Sequence, residues 1–163
     1  MIRLTSVAFL ACAWAMSAAA APEPYGQNIG NWRITQDMVN RVPICRATYN
    51  HPNAIAEYVN YALTRRGDGT YTITVPVRNV ARGRYEGASL EVGGSAEPVN
   101  ATADGLALNI PVDDDMLGRV QRAGNRFTWA INGRRQTGNV NLGTSLGAIV
   151  NRLRECTRAN GGR

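Results

Sequence analysis

The chain has 163 residues, 44% of them hydrophobic and 18% charged, enough apolar content for one packed core and too little charge for a disordered chain. All eighteen cations are arginine, against twelve acidic residues, for a formal charge of +6. With one histidine, and with Cys45 and Cys156 the only cysteines beyond residue 20 and expected to pair, no Cys/His zinc centre is expected, and histidine-dependent catalysis would have to use His51.

Residues 1–20 read as a secretory signal: Arg3 gives the positive start, Leu4 to Met16 is an apolar run broken only by Thr5 and Ser6, and Ala18 and Ala20 suit a signal peptidase. An uncleaved anchor is the alternative, but the run falls short of the ~20 residues that span a bilayer. Phe9-Leu10-Ala11-Cys12 has the leucine one position away from that of a lipoprotein box, so lipidation at Cys12 is a further alternative. Residues 21–163 are then one exported domain with no transmembrane segment after signal cleavage. Its two cysteines, Cys45 and Cys156, are expected to pair in the oxidising periplasm or outside the cell.

In chain order, Pro22 to Gly30 is a polar leader, and Trp32 and Ile34 open the first strand. Gln36 to Pro43 reads as a connection, Ile44 to Tyr49 as a second strand, and His51-Pro52-Asn53 as a turn. Val59, Tyr61 and Leu63 alternate with polar or small neighbours, and Arg66-Gly67-Asp68-Gly69 turns the chain into the alternating Tyr71 to Val77. Asn79 to Gly87 reads as a charged loop, Ala88 to Val92 as a short strand, and Leu106, Leu108, Ile110 and Val112 as another clean alternating strand. Asp113-Asp114-Asp115 leads into a short helix through Met116, Leu117 and Val120, stopped by Gly124. Phe127, Trp129 and Ile131 form a strand that returns through Asn132-Gly133 toward Leu142. Leu146, Ile149, Val150, Leu153 and Cys156 share one stripe of a closing amphipathic helix, which Thr144 or Ser145 can cap. About eight short alternating strands, a short internal helix and a terminal helix predict an antiparallel β-sandwich or open barrel with the C-terminal helix packed on it. Trp32, Ile73, Leu108, Ile110, Trp129, Leu142, Ile149 and Leu153 are expected to share its core.

The chemistry on offer is sparse. His51 lies in a proline-flanked turn and no Gly-x-Ser-x-Gly elbow accompanies it. The three aspartates suit a helix N-terminus better than a calcium loop. Glu57, Glu86, Glu91 and Glu97 are scattered, with nothing to single out a glycosidase pair. Arg66-Gly67-Asp68 matches an integrin-binding tripeptide but also meets the needs of a tight turn. No catalytic, cofactor-binding or metal-binding residue is nominated, and no cofactor. The candidate site is anionic recognition by Arg65 and Arg66, Arg82 and Arg84, and Arg134 and Arg135, each pair at or beside a turn.

The order of elements, above all Asp113-Asp114-Asp115-Met116-Leu117, the Phe127-Thr128-Trp129-Ala130-Ile131 strand, Asn132-Gly133 and Ser145-Leu146-Gly147 before an apolar helix, resembles the invasion-associated locus B family of exported bacterial proteins. Ala148 stands where that family usually has an aromatic residue. The resemblance implies a periplasmic or surface β-sandwich of accessory or virulence-linked role, with no enzymatic activity and no site residues to transfer. Two function classes follow. One is a non-catalytic binding or accessory protein of the envelope or of host interaction, whose partner is an unknown protein, an acidic glycan or a lipid headgroup, and not nucleic acid. The other is an inhibitor of a secreted hydrolase that inserts Asn79–Gly87 or Gln36–Pro43 into its target.

Overall fold

The computed structural model describes residues 21–50 and 61–163. The expected signal segment with Cys12, the turn expected at His51, Glu57 and Val59 lie outside the described residues. Ten strands and two helices follow one another: β1 (Glu23–Pro24), β2 (Trp32–Val39), β3 (Val42–Tyr49), β4 (Ala62–Arg66), β5 (Tyr71–Pro76), β6 (Gly83–Val92), β7 (Ser95–Ala103), β8 (Ala107–Val112), α1 (Asp114–Arg122), β9 (Arg126–Ile131), β10 (Gln136–Asn141) and α2 (Leu146–Ala159). The fold is mainly antiparallel β, one open sheet in the order β1-β2-β3-β4-β5-β8-β7-β6-β9-β10.

Alternation along the strands sends one set of side chains into a single core, where Trp32, Ile73, Leu108, Ile110, Trp129 and Leu142 meet Ile149 and Leu153 of α2. α2 lies on β2, β3 and β4, and its buried stripe is the one its sequence spacing predicts. Cys45 of β3 is bonded to Cys156 of α2, with Cα atoms 6.1 Å apart and 111 residues between them in sequence. α1 starts at Asp113, whose carboxylate accepts the Met116 amide at 2.8 Å, while Asp114 and Asp115 occupy the first turn. The aspartate run therefore serves as cap and dipole partner. For α2 the cap expectation fails: Ser145 is the N-cap but makes no side-chain capping bond.

The registers give the sheet two unlike ends. Pairings such as Ile44 with Arg66, Tyr71 with Val112 and Val92 with Ser95 put the β2–β3, β4–β5 and β6–β7 turns at the end where both helices attach. Pairings of Pro76 with Ala107, Gly83 with Ala103 and Gln136 with Ile131 put the β5–β6, β7–β8 and β9–β10 connections at the other, the loop end.

Several sequence expectations are corrected. Glu23–Pro24 pairs with Thr35 and Gln36, so the leader contributes an edge strand. Ser95–Ala103 is a full strand that escaped notice because Pro98 and small residues blur its alternation. Gln36 to Pro43 is no connection: β2 and β3 run on to Val39 and Val42, and Asn40 and Arg41 make the turn at φ 51° and 65°. The turn after Asn132-Gly133 takes four residues, since Ile131 pairs with Gln136 and Arg134 also has positive φ. Asn79 to Gly87 is loop only as far as Arg82, and a bulge between Tyr85 and Ala88 absorbs the rest into β6.

Candidate functional site: the arginine-bearing loop end

The β5–β6 loop, residues 77–82, is held from several sides. The Val77 amide donates to the Leu106 carbonyl at 2.9 Å, and Arg82 Nε donates to the Asp104 carbonyl at 3.1 Å, which ties the loop to the β7–β8 turn. On its other flank, Gln136 Nε2 donates to the Asn79 carbonyl at 2.6 Å, which ties it to the β9–β10 turn. Val80 drops its side chain into the core and the Tyr85 hydroxyl donates to the Ala81 carbonyl at 2.7 Å. Asn79 takes the left-handed conformation, φ 59°, which Asn tolerates better than most residues.

This network gathers Arg82, Arg84, Arg134 and Arg135 around one loop, all exposed, and adds exposed Arg78. Among the described residues the Arg84 and Arg135 side chains make no hydrogen bond or ion pair, whereas Arg134 meets Glu91 at 3.0 Å. Five arginines thus share this end with Glu86 and Asp104, and Arg134 reaches back along the sheet to Glu91 near the far end of β6. Asp104 is turned inward on the turn: its Oδ1 accepts the Leu106 amide at 2.9 Å and the Ala107 amide at 2.7 Å. Those amides, Leu106 first, hold its pKa below the ordinary aspartate value, and Arg82 adds to the effect. The same capture turns the chain before β8, so Leu106, expected within that alternating strand, precedes it and is 63% exposed at the tip.

The third pair does not join them. Arg65 lies at the helical end and is only 6% exposed. Its Nε donates to the Tyr71 hydroxyl at 3.0 Å, Nη1 to the Arg163 carbonyl at 2.7 Å, and the same guanidinium reaches the Thr157 hydroxyl. Its guanidinium carbon stands 5.3 Å from the Tyr71 ring centroid. Arg65 is therefore a buried tie between β4, β5 and α2, not a displayed cation. Arg154 also donates to Tyr71 Oη, at 3.1 Å, and its bonds to Asp114 first and Tyr71 second raise its pKa above the usual value. Arg66 is exposed but paired with Asp68 at 3.7 Å.

The integrin-like tripeptide has a structural explanation of its own. Gly67 is pressed between Pro43 and Gly162, where an added Cβ would come within 2.6 Å of the proline ring. Asp68 accepts from the Thr70 hydroxyl and amide, bonds that lower its pKa.

Carboxylates outside this end are engaged apart from one another. Glu97 is opposite Leu90 and so shares its inner face, where Arg119 of α1 holds it through both oxygens; Glu91 is the next residue and faces out. No group of three or more His, Cys, Asp or Glu stands together among the described residues. A cleft of about 620 Å³ beside β9 and β10 is lined by Glu91, Arg126, Phe127 and Asn139, and a second, of about 490 Å³, lies under the β2–β3 hairpin. No helix among the described residues is long and apolar enough to cross a membrane.

The sequence reading missed Arg78 and Leu106. Arg78 stands alone in sequence and was invisible to a search for pairs. Leu106 fits the alternation of β8, and only the Asp104-Gly105 turn signal before it hints that the strand starts later. No family model, no curated protein and no solved structure matches this chain.

Proposed function

We propose that this protein is an exported, non-catalytic binding module whose loop end engages a ligand bearing carboxylate or phosphate groups. The observation that carries the reading is the bracing of residues 77–82, which draws the arginines of the β5–β6 and β9–β10 connections and of the start of β6 around one loop. Guanidinium groups bind such anions through paired donors, and a braced platform loses little entropy on binding. The leader-like residues 1–20 and the Cys45–Cys156 bond support export, since such bonds persist in oxidising compartments. The resemblance to the invasion-associated locus B family favours the same accessory role.

The test must separate a local site from a basic protein's general stickiness. Arg84→Ala with Arg135→Ala should weaken retention on an immobilised sulfated or carboxylated glycan by about ten-fold at low salt. Arg122→Ala with Arg158→Ala, which removes equal charge from the helical end, should weaken it far less. Retention should also fall on going to about 0.15 M salt, where screening acts beyond about 8 Å. Equal losses from the two double variants would reject a local site.

A second reading, inhibition of a secreted hydrolase, is favoured by the β2–β3 hairpin. Met38 and Val39 are 54% and 41% exposed beside its two-residue turn. Asn79–Gly87, the other segment considered for insertion, is anchored by Val80 and runs into β6 from Gly83, so it does not offer a free loop. Arg41→Glu with Met38→Ser would abolish inhibition of a target hydrolase and leave glycan retention intact.

A further inference from the structure

Leu106 is a large apolar side chain standing in water at the arginine-bearing loop end. Its carbonyl accepts the Val77 amide, so it lies beside Arg78, and the preceding Asp104 carbonyl accepts from Arg82. Its backbone is fixed by the Asp104 carboxylate, and the side chain is 63% exposed at the extremity of the turn. A polyanion in water has no use for such a residue. A bilayer surface does: arginines meet lipid phosphates at the level of the headgroups while an apolar tip enters the acyl boundary.

We infer that the loop end docks on an anionic phospholipid surface, with Leu106 inserted and Arg78, Arg82, Arg84 and Arg135 at the phosphates. The inference rests on the anion-binding reading above and narrows its ligand to lipid. Charge complementarity selects the partner: beside Arg134, which is paired with Glu91, four arginines stand against Glu86 and Asp104, and Asp104 is occupied by backbone amides. Attraction of each surface arginine adds to the apolar term, and neither alone gives stable attachment.

The experiment measures co-sedimentation of the mature protein with vesicles of phosphatidylglycerol mixed into phosphatidylcholine, with phosphatidylcholine vesicles and soluble heparin as comparisons. Wild type should partition to the anionic vesicles and not to the neutral ones. Leu106→Ser should reduce that partition by about five- to ten-fold while leaving heparin affinity within about two-fold, because it removes only the apolar contribution. Arg84→Ala with Arg135→Ala should weaken both. Leu106→Trp should keep the partition and add a blue-shifted emission on vesicle binding, which Trp32 and Trp129, already buried, do not supply. An unchanged melting temperature in each variant excludes misfolding, since both sites are exposed. Heparin bound without vesicles overturns the lipid assignment and leaves the anion-binding function standing; neither bound overturns both. Vesicle binding indifferent to Leu106→Ser overturns insertion.

Discussion

The two ends of the sheet use arginine in opposite ways. At the helical end Arg65 is buried and spends its donors on Tyr71, Thr157 and Arg163, joining strand to helix to tail. At the loop end Arg84 and Arg135 have no side-chain partner among the described residues and stand in solvent. The difference is burial: a guanidinium removed from water must satisfy its donors within the fold, whereas one kept in water retains them for a ligand. Two arginines that look alike in sequence thus differ in role by which face of the sheet they occupy, as Arg65 and exposed Arg66 show at a single strand end.

The sharpest way to break this contrast is at the covalent pin. Replacing Cys45 and Cys156 by serine should lower stability by about 4 to 5 kcal/mol on the chain-entropy account of a loop this long. The denaturant midpoint, compared with wild type, reads it. A change within error would mean the helical end is held without its bond.

Next in size is Leu153→Ala. Leu153 is fully buried in α2 beside Cys156, and its truncation should cost about 2 to 5 kcal/mol in equilibrium unfolding. A loss below about 0.5 kcal/mol, the size of a surface change, would show that α2 is not docked as described.

The smallest effect belongs to the loop end. Asp104 has a folded-state pKa below its unfolded value, so its contribution to the β7–β8 turn is complete above about pH 4 and is lost as pH falls through the lower, folded value. The protection factors of the Leu106 and Ala107 amides, followed downward from pH 5, should fall only as pH drops through that value. Asp104→Asn should remove the pH dependence while global stability stays within about 0.5 kcal/mol.

Much of this was legible in the sequence wherever periodicity was strong. The stripe from Leu146 to Cys156, the alternation of Tyr71 to Val77 and the acidic start of α1 each point to one conformation, and each is found. The mainly β class followed from them. What was hidden depended on distant partners. Glu23–Pro24 is a strand only because β2 offers an edge, and Asn40-Arg41 turns without a glycine because the paired arms impose it. For the site, spacing found the arginine pairs but could not tell that Arg65 points inward, since Leu63 and Arg65 share a face that only packing identifies as the core side. Nor could it gather Arg82 with Arg135, which are brought together by backbone carbonyls of Asn79 and Asp104 that no side-chain pattern announces.

The position of the two described termini has a practical meaning. Glu23 pairs with Gln36, so Ala21 lies toward the β2–β3 turn, and the Arg163 amide donates to the Gly67 carbonyl at 2.8 Å in the β4–β5 turn. Both termini therefore emerge at the helical end. Any tether, tag or fused module at either one orients the molecule with its arginines pointing away from the point of attachment, so a copy fixed to a sensor chip by its tail presents the loop end to whatever flows past.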